Sequence, residues 1–192
     1  DCNPQRAGWK LNETFQNRAY ALHAAMGIQE DIADFKLGAG PACSSMLEAS
    51  PNSTFFCSKQ KEGRVERVMV FTLQDLVALI PSRLNLHIKI DAEGADLMVL
   101  KGAKNAIHRF DTIIIECHPD SLEHAFMVDA CRESAAKEYM CQKQGICNAQ
   151  SAGQGGQVNI FWTKDGYNST MLPTYFHGRR LVFSRKFYQT IR

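Results

Sequence analysis

No apolar run in this sequence approaches the roughly 20 residues that a membrane-spanning helix needs; Val68-Met69-Val70-Phe71 and Ile113-Ile114-Ile115 are representative. No membrane span is therefore expected in this segment. Charge of one sign is lacking too: 22 Lys and Arg stand against 20 Asp and Glu, a formal charge of +2. That balance gives no electrostatic footprint for nucleic acid or an anionic membrane surface. Glycine (13) and proline (6) are sparse among 192 residues, which excludes collagen-like and low-complexity disordered chains. With 45% hydrophobic and 22% charged residues, the composition fits one ordinary globular domain over residues 1–192. No internal repeat marks a second domain. The chain starts at Asp1 rather than Met, with no basic stretch and apolar run of a leader before it. The domain is therefore expected to be incomplete at its N-terminus.

No two of the seven cysteines (Cys2, Cys43, Cys57, Cys117, Cys131, Cys141, Cys147) have the CxxC spacing of a zinc or redox site. Three Asn-x-Ser/Thr sequons begin at Asn12, Asn52 and Asn168, among only nine asparagines. Glycosylation of such sequons and oxidation of such cysteines belong to a secretory lumen or the extracellular side. Chance sequons and reduced thiols in the cytoplasm are the alternative.

Hydrophobic periodicity orders the middle of the chain. A helix is predicted over 5–17, strands over 20–25 and 33–37, then an aperiodic loop over 38–63. Residues 65–71 read as a strand and 73–80 as a helix that Pro81 ends. Next come a strand over 86–91, a turn at Glu93-Gly94, a helix over 95–109 with Leu97, Leu100, Ala103 and Ile107 on one face, and a strand over 112–116 apolar enough for burial on both faces. Strand, helix, strand in that order is a parallel crossover. A helix over 121–140, a loop over 141–156 and strands over 158–163 and 181–184, expected as an antiparallel edge pair, complete the chain. The glycines at 38–40 and 153–156 neither follow an apolar strand nor open a helix, so neither is a nucleotide loop.

In an open parallel sheet, ligands bind beyond the carboxyl ends of the strands. One strand ends in Asp91 with Glu93 just after it, and the next in Glu116 with His118 just after it. Three carboxylates and an imidazole at one sheet edge can take a proton from a hydroxyl, because clustered carboxylates raise one another's pKa and histidine titrates near neutrality. They could equally hold a divalent cation. Asp91 and Glu93 could instead cap the following helix. Lys89, two residues before the strand end, needs an acidic partner, for which Asp91, Asp75 and Glu116 are candidates.

Thr72-Leu73-Gln74-Asp75-Leu76, Lys89-Ile90-Asp91-Ala92-Glu93-Gly94-Ala95-Asp96, Val99-Leu100-Lys101-Gly102-Ala103 and Ile113-Ile114-Ile115-Glu116-Cys117-His118 together resemble the signature of the FkbM family of S-adenosylmethionine-dependent methyltransferases. Asp1-Cys2-Asn3-Pro4 is similar to the acidic end of the family's second strand, and Ser44-Ser45-Met46 to its Ser-Ser-Leu segment. The resemblance implies an α/β, Rossmann-like class I methyltransferase fold: a mostly parallel sheet with antiparallel C-terminal edge strands. It implies S-adenosylmethionine as cofactor, and O-methylation of a small molecule, sugar or lipid-like acceptor. By the same likeness Asp1, with Asn3 beside it, would hold the cofactor ribose, and Ala25 and Met26 would lie near the adenine. Asp91, Glu93, Glu116 and His118 would line the acceptor side, with Asp91 or His118 as base; Lys89, beside them, is a further catalytic candidate where it is not simply a structural ion pair. No metal is assigned.

The sequence departs from the family pattern in three places. The first strand and its glycine-rich loop would precede Asp1, so upstream sequence or a partner chain is expected to supply that strand. Gln74 replaces the first acid of Thr-Leu-Asp-Asp, and Ile28 stands where an acid often follows the third strand. These departures motivate a second reading, a catalytically inactive methyltransferase-like domain serving as a structural or protein-interaction module.

Overall fold

The computed structural model describes residues 22–37, 44–51, 64–122, 127–154 and 156–164. Among the described residues seven strands fall into two sheets. β1 (Ala25–Gly27) and β2 (Asp31–Lys36) flank β3 (Val65–Thr72), in the order β1-β3-β2, with β1 parallel and β2 antiparallel to β3. β4 (Leu86–Ile90), β5 (Phe110–Cys117), β6 (Gln150–Gln154) and β7 (Gln157–Thr163) form the second sheet in the order β4-β5-β7-β6. Only β4 and β5 are parallel there; β7 runs antiparallel to both β5 and β6. The architecture is α/β, but the mostly parallel single sheet is found as two mixed sheets. Among the described residues β4 pairs only with β5 and β1 only with β3.

The elements follow from their side chains. Ile113, Ile114 and Ile115 are all buried, as a strand covered on both faces requires. α1 (Leu73–Ala78) starts where the Thr72 hydroxyl accepts from the Asp75 N–H at 3.2 Å, while the same hydroxyl donates to the Asp75 carboxylate. α2 (Asp96–Gly102) buries Val99 and Leu100, and its chain continues as a 3-10 helix (Lys104–Arg109). The helix expected over 95–109 is broken because Lys104 adopts φ 44°, a left-handed conformation no α-helix accommodates. The core lies between the second sheet and these helices, around Leu100, Ile107, Ile115, Met140, Ile160 and Trp162.

Three other expectations change. The helix expected over 121–140 is α3 (Glu133–Gln144). A disulfide joins Cys117 to Cys131, Asp129 sits at φ 56° and Arg132 is extended, so residues 127–132 do not wind into the helix. Asp120 instead caps α3, accepting from the Ser134 N–H at 3.1 Å. The loop expected over 141–156 contains the end of α3, which the left-handed Gly145 closes, and β6. β6 therefore takes the edge position beside β7 that was expected for residues 181–184. Those residues, the helix at 5–17, most of the 38–63 loop, the three sequons, Cys2, Cys43 and Cys57 lie outside the described residues.

Gly102 explains the Lys-Gly-Ala run. A Cβ there would stand 2.0 Å from the Gly27 carbonyl oxygen, and backbone cannot yield as a side chain would. Gly102→Ala is expected to destabilise the fold by about 1–3 kcal/mol, read as a lower urea midpoint with an unchanged slope.

Candidate functional site

β4 ends at Ile90, and the chain turns through residues 93–95 before α2 begins. Glu93 has φ 47° and Gly94 φ 96°, so one non-glycine residue is held left-handed at a cost of about 1–3 kcal/mol. Three residues fasten this turn through four hydrogen bonds. The fully buried Asp96 carboxylate accepts from the Gly94 N–H at 3.2 Å and the Ala92 N–H at 3.3 Å. The Ser45 hydroxyl, also buried, donates to the Glu93 carbonyl at 3.1 Å. The Cys131 N–H donates to the Gly94 carbonyl at 2.8 Å. Neither Asp91 nor Glu93 caps α2, whose start at Ala95 carries no side-chain cap hydrogen bond; Asp96 ties the turn before it instead. Lys89 is ion-paired with Asp91, one of its three expected partners.

β5 delivers the other half of the site. The His118 N–H donates to the Cys131 carbonyl at 2.8 Å, and the His118 carbonyl accepts from the Glu133 N–H at 3.0 Å. The ring Nδ1 lies 2.9 Å from the Gly156 carbonyl. A carbonyl only accepts, so Nδ1 carries the proton and Nε2 the lone pair.

Two cavities meet at the turn. The larger, about 430 Å³, is bounded by Ala25 and Met26 of β1 and by Lys89, Asp91 and Glu93. The smaller, about 20 Å³, is bounded by Glu93, Asp96, Glu116, His118 and Met127, room for about one water. Glu93 borders both. The four residues expected on the acceptor side and Lys89 therefore gather around this turn, with the two expected near adenine across the larger cavity. Asp1 and Asn3 lie outside the described residues. Asp96 and Ser45 stand within the motifs that carry the family resemblance but were given no site role, and Met127 was not singled out. Asp96 carried one usable signal, an acid at the start of a helix just after a glycine turn; Ser45 and Met127 reach the site only through tertiary contacts.

Burial sets the electrostatics. It pushes the Glu93 carboxyl up to about 7, helped by Asp91, Glu116 and Asp96 and opposed by Lys89. It raises Asp96 to about 6 against the pull of its backbone N–H donors. Glu116 is raised by burial and then by Asp91. Burial lowers His118, with Arg132 acting in the same direction and the Gly156 carbonyl opposing. At neutral pH the site thus holds a neutral imidazole and a carboxyl near its midpoint. That pairing can accept and pass on a proton. Among the described residues no three His, Cys, Asp or Glu converge as a metal-binding group, and no helix is long and apolar enough to cross a membrane.

The family model of the methyltransferase FkbM domain matches residues 1–138. No curated protein and no solved structure matches the chain.

Proposed function

The chain belongs to the methyltransferase FkbM family, and from that premise we propose that it is an S-adenosylmethionine-dependent O-methyltransferase acting on a hydroxyl of a small molecule, sugar or lipid-like acceptor. The observation that carries this reading is Glu93, a carboxyl raised to about 7 on the wall of the 430 Å³ cavity. That volume falls within the usual range of small-molecule sites, about 300–1,000 Å³. Its Met26, Leu73 and Ile88 wall suits an adenine ring, and its Asp91 and Glu93 carboxylates suit a sulfonium charge. Asp1 and Asn3 would hold the ribose, as the resemblance implies.

S-adenosylmethionine, when bound, supplies an activated methyl group. The chain's own part is to orient the acceptor hydroxyl and take its proton. Of the residues proposed as base, Asp91 is tied to Lys89 and His118 is buried behind the turn. Glu93 reaches the cavity and accepts the proton there; Glu116 and His118 hold the polar environment behind it. Among the described residues β4 pairs only with β5, so its other side suits the first strand that the family resemblance implies, running along 86–90 and leaving the cavity mouth at 91–93 to the cofactor. The two disulfides among the described residues support an oxidising compartment, which we assign as the secretory lumen or extracellular side.

Isothermal titration of S-adenosylmethionine and S-adenosylhomocysteine into the full gene product tests the reading. Micromolar binding is expected, and Met26→Trp, which fills the cavity, should abolish the heat. A folded full-length protein that gives no heat would overturn it in favour of the structural or interaction module.

A further inference from the structure

We infer that the Cys117–Cys131 disulfide is a positioning clamp that holds the two halves of the site, the Glu93-Gly94 turn and the His118 strand end, against each other. The inference rests on the proposed function for its catalytic meaning, but not for its test.

Cys117 is the last residue of β5, between Glu116 and His118. Its partner lies 14 residues on, in the non-helical stretch before α3. From there Cys131 reaches both halves through its own backbone: its N–H donates to the Gly94 carbonyl and its carbonyl accepts from the His118 N–H, each at 2.8 Å. Gly94 and His118 follow different strands, and the covalent link makes one rigid piece of Cys131 and the β5 end. Cys117 is 3% exposed and Cys131 1%, so the bond is shielded from solvent. Around it the segment has little regular structure of its own. It is attached through a Met127 bridge to Ala49, a Val128 N–H to the Glu48 carbonyl, and Arg132 to the carbonyls of Pro119 and Leu122. Without the crosslink, a stretch including the left-handed Asp129 would have to hold the strained Glu93 turn by hydrogen bonds alone.

Peptide mapping of the native protein comes first, and finding Cys117 and Cys131 as free thiols would overturn the inference. The Cys117→Ala/Cys131→Ala variant is then compared with Cys141→Ala/Cys147→Ala, which removes the other disulfide, and with wild type. The readout is NMR titration of the Glu93 carboxyl and the His118 ring. The groups that face Glu93 are Asp91, Glu116, Asp96 and Lys89, and Arg132 faces His118; none is altered in either variant. With the clamp removed, Glu93 is expected to fall toward the ordinary carboxylate range and His118 to rise toward its ordinary value, while far-UV circular dichroism stays native. The control pair should move neither titration. Unchanged titrations in the unclamped protein would overturn the inference. So would global unfolding of that variant alone, which would make the crosslink a general brace. Absence of cofactor binding would sink the methyltransferase proposal and leave these outcomes intact.

Discussion

Replacing Glu93 by Gln is expected to slow methyl transfer about 10²- to 10⁴-fold, the usual worth of a positioned proton acceptor, while S-adenosylhomocysteine affinity changes little. Gln keeps the shape and the left-handed turn, whose hold on Ser45 runs through the Glu93 backbone carbonyl rather than its side chain. What it loses is the ability to accept a proton. The wild-type rate should also fall as pH drops below about 7, because Glu93, raised to about that value, then carries its proton and no longer acts as a base. Asp91→Asn should cost less, since the Asp91 carboxylate is engaged by Lys89. Release of S-adenosylhomocysteine across a panel of sugar, lipid and small-molecule hydroxyls measures all three. A Glu93→Gln enzyme at wild-type rate would exclude Glu93 as base and pass the role to His118.

The parts of this fold that were legible in the sequence are those whose local pattern and tertiary environment agree. The triple isoleucine of β5 reads as a doubly covered strand and is one. The run from Lys89 to Ala103 reads as strand end, turn and helix, and the acids at both strand ends do meet around one turn. Elsewhere a long-range tie overrides the local pattern. Residues 127–132 belong to a run that reads as helical, but a disulfide ties Cys131 to the end of β5. β6, Gln-Ser-Ala-Gly-Gln, has almost no strand character and exists because β7 offers it an antiparallel edge. Gly153 there is set by close approach, as a Cβ would lie 2.3 Å from the Gln157 carbonyl oxygen. The family resemblance takes in Ser45 but not its contact with the turn: Ser45 is 48 residues from Glu93 in sequence, and no periodicity connects them.

The second large effect is expected at Asp96, where two opposing terms of similar size make the outcome depend on pH. Asp96→Ala leaves the Gly94 and Ala92 N–H groups without their acceptor. At about 1–3 kcal/mol for a donor left unpaired, these two half-buried donors put the loss at no more than about 6 kcal/mol. The opposing term is the desolvation of the carboxylate, which raises its pKa from 3.8 to about 6, roughly 3 kcal/mol between the two protonation states. A carboxyl raised on folding binds its proton more tightly in the native state than in the unfolded chain. Its contribution is therefore full below the unfolded value near 3.8 and is lost as pH rises through about 6. Glu93 acts in the same sense up to about 7. Wild type should accordingly lose stability between pH 4 and pH 8 through this pair. Asp96→Ala, which has no carboxyl to desolvate, should be more damaging near pH 5 than near pH 8 by about 1.4 kcal/mol, the part of that span lying between pH 5 and about 6. Urea denaturation of both proteins at the two pH values measures the difference. An equal loss at both would mean that water reaches the carboxylate and relieves its desolvation, and a loss below about 1 kcal/mol at pH 5 would mean that the turn is held by Ser45 and Cys131 without it.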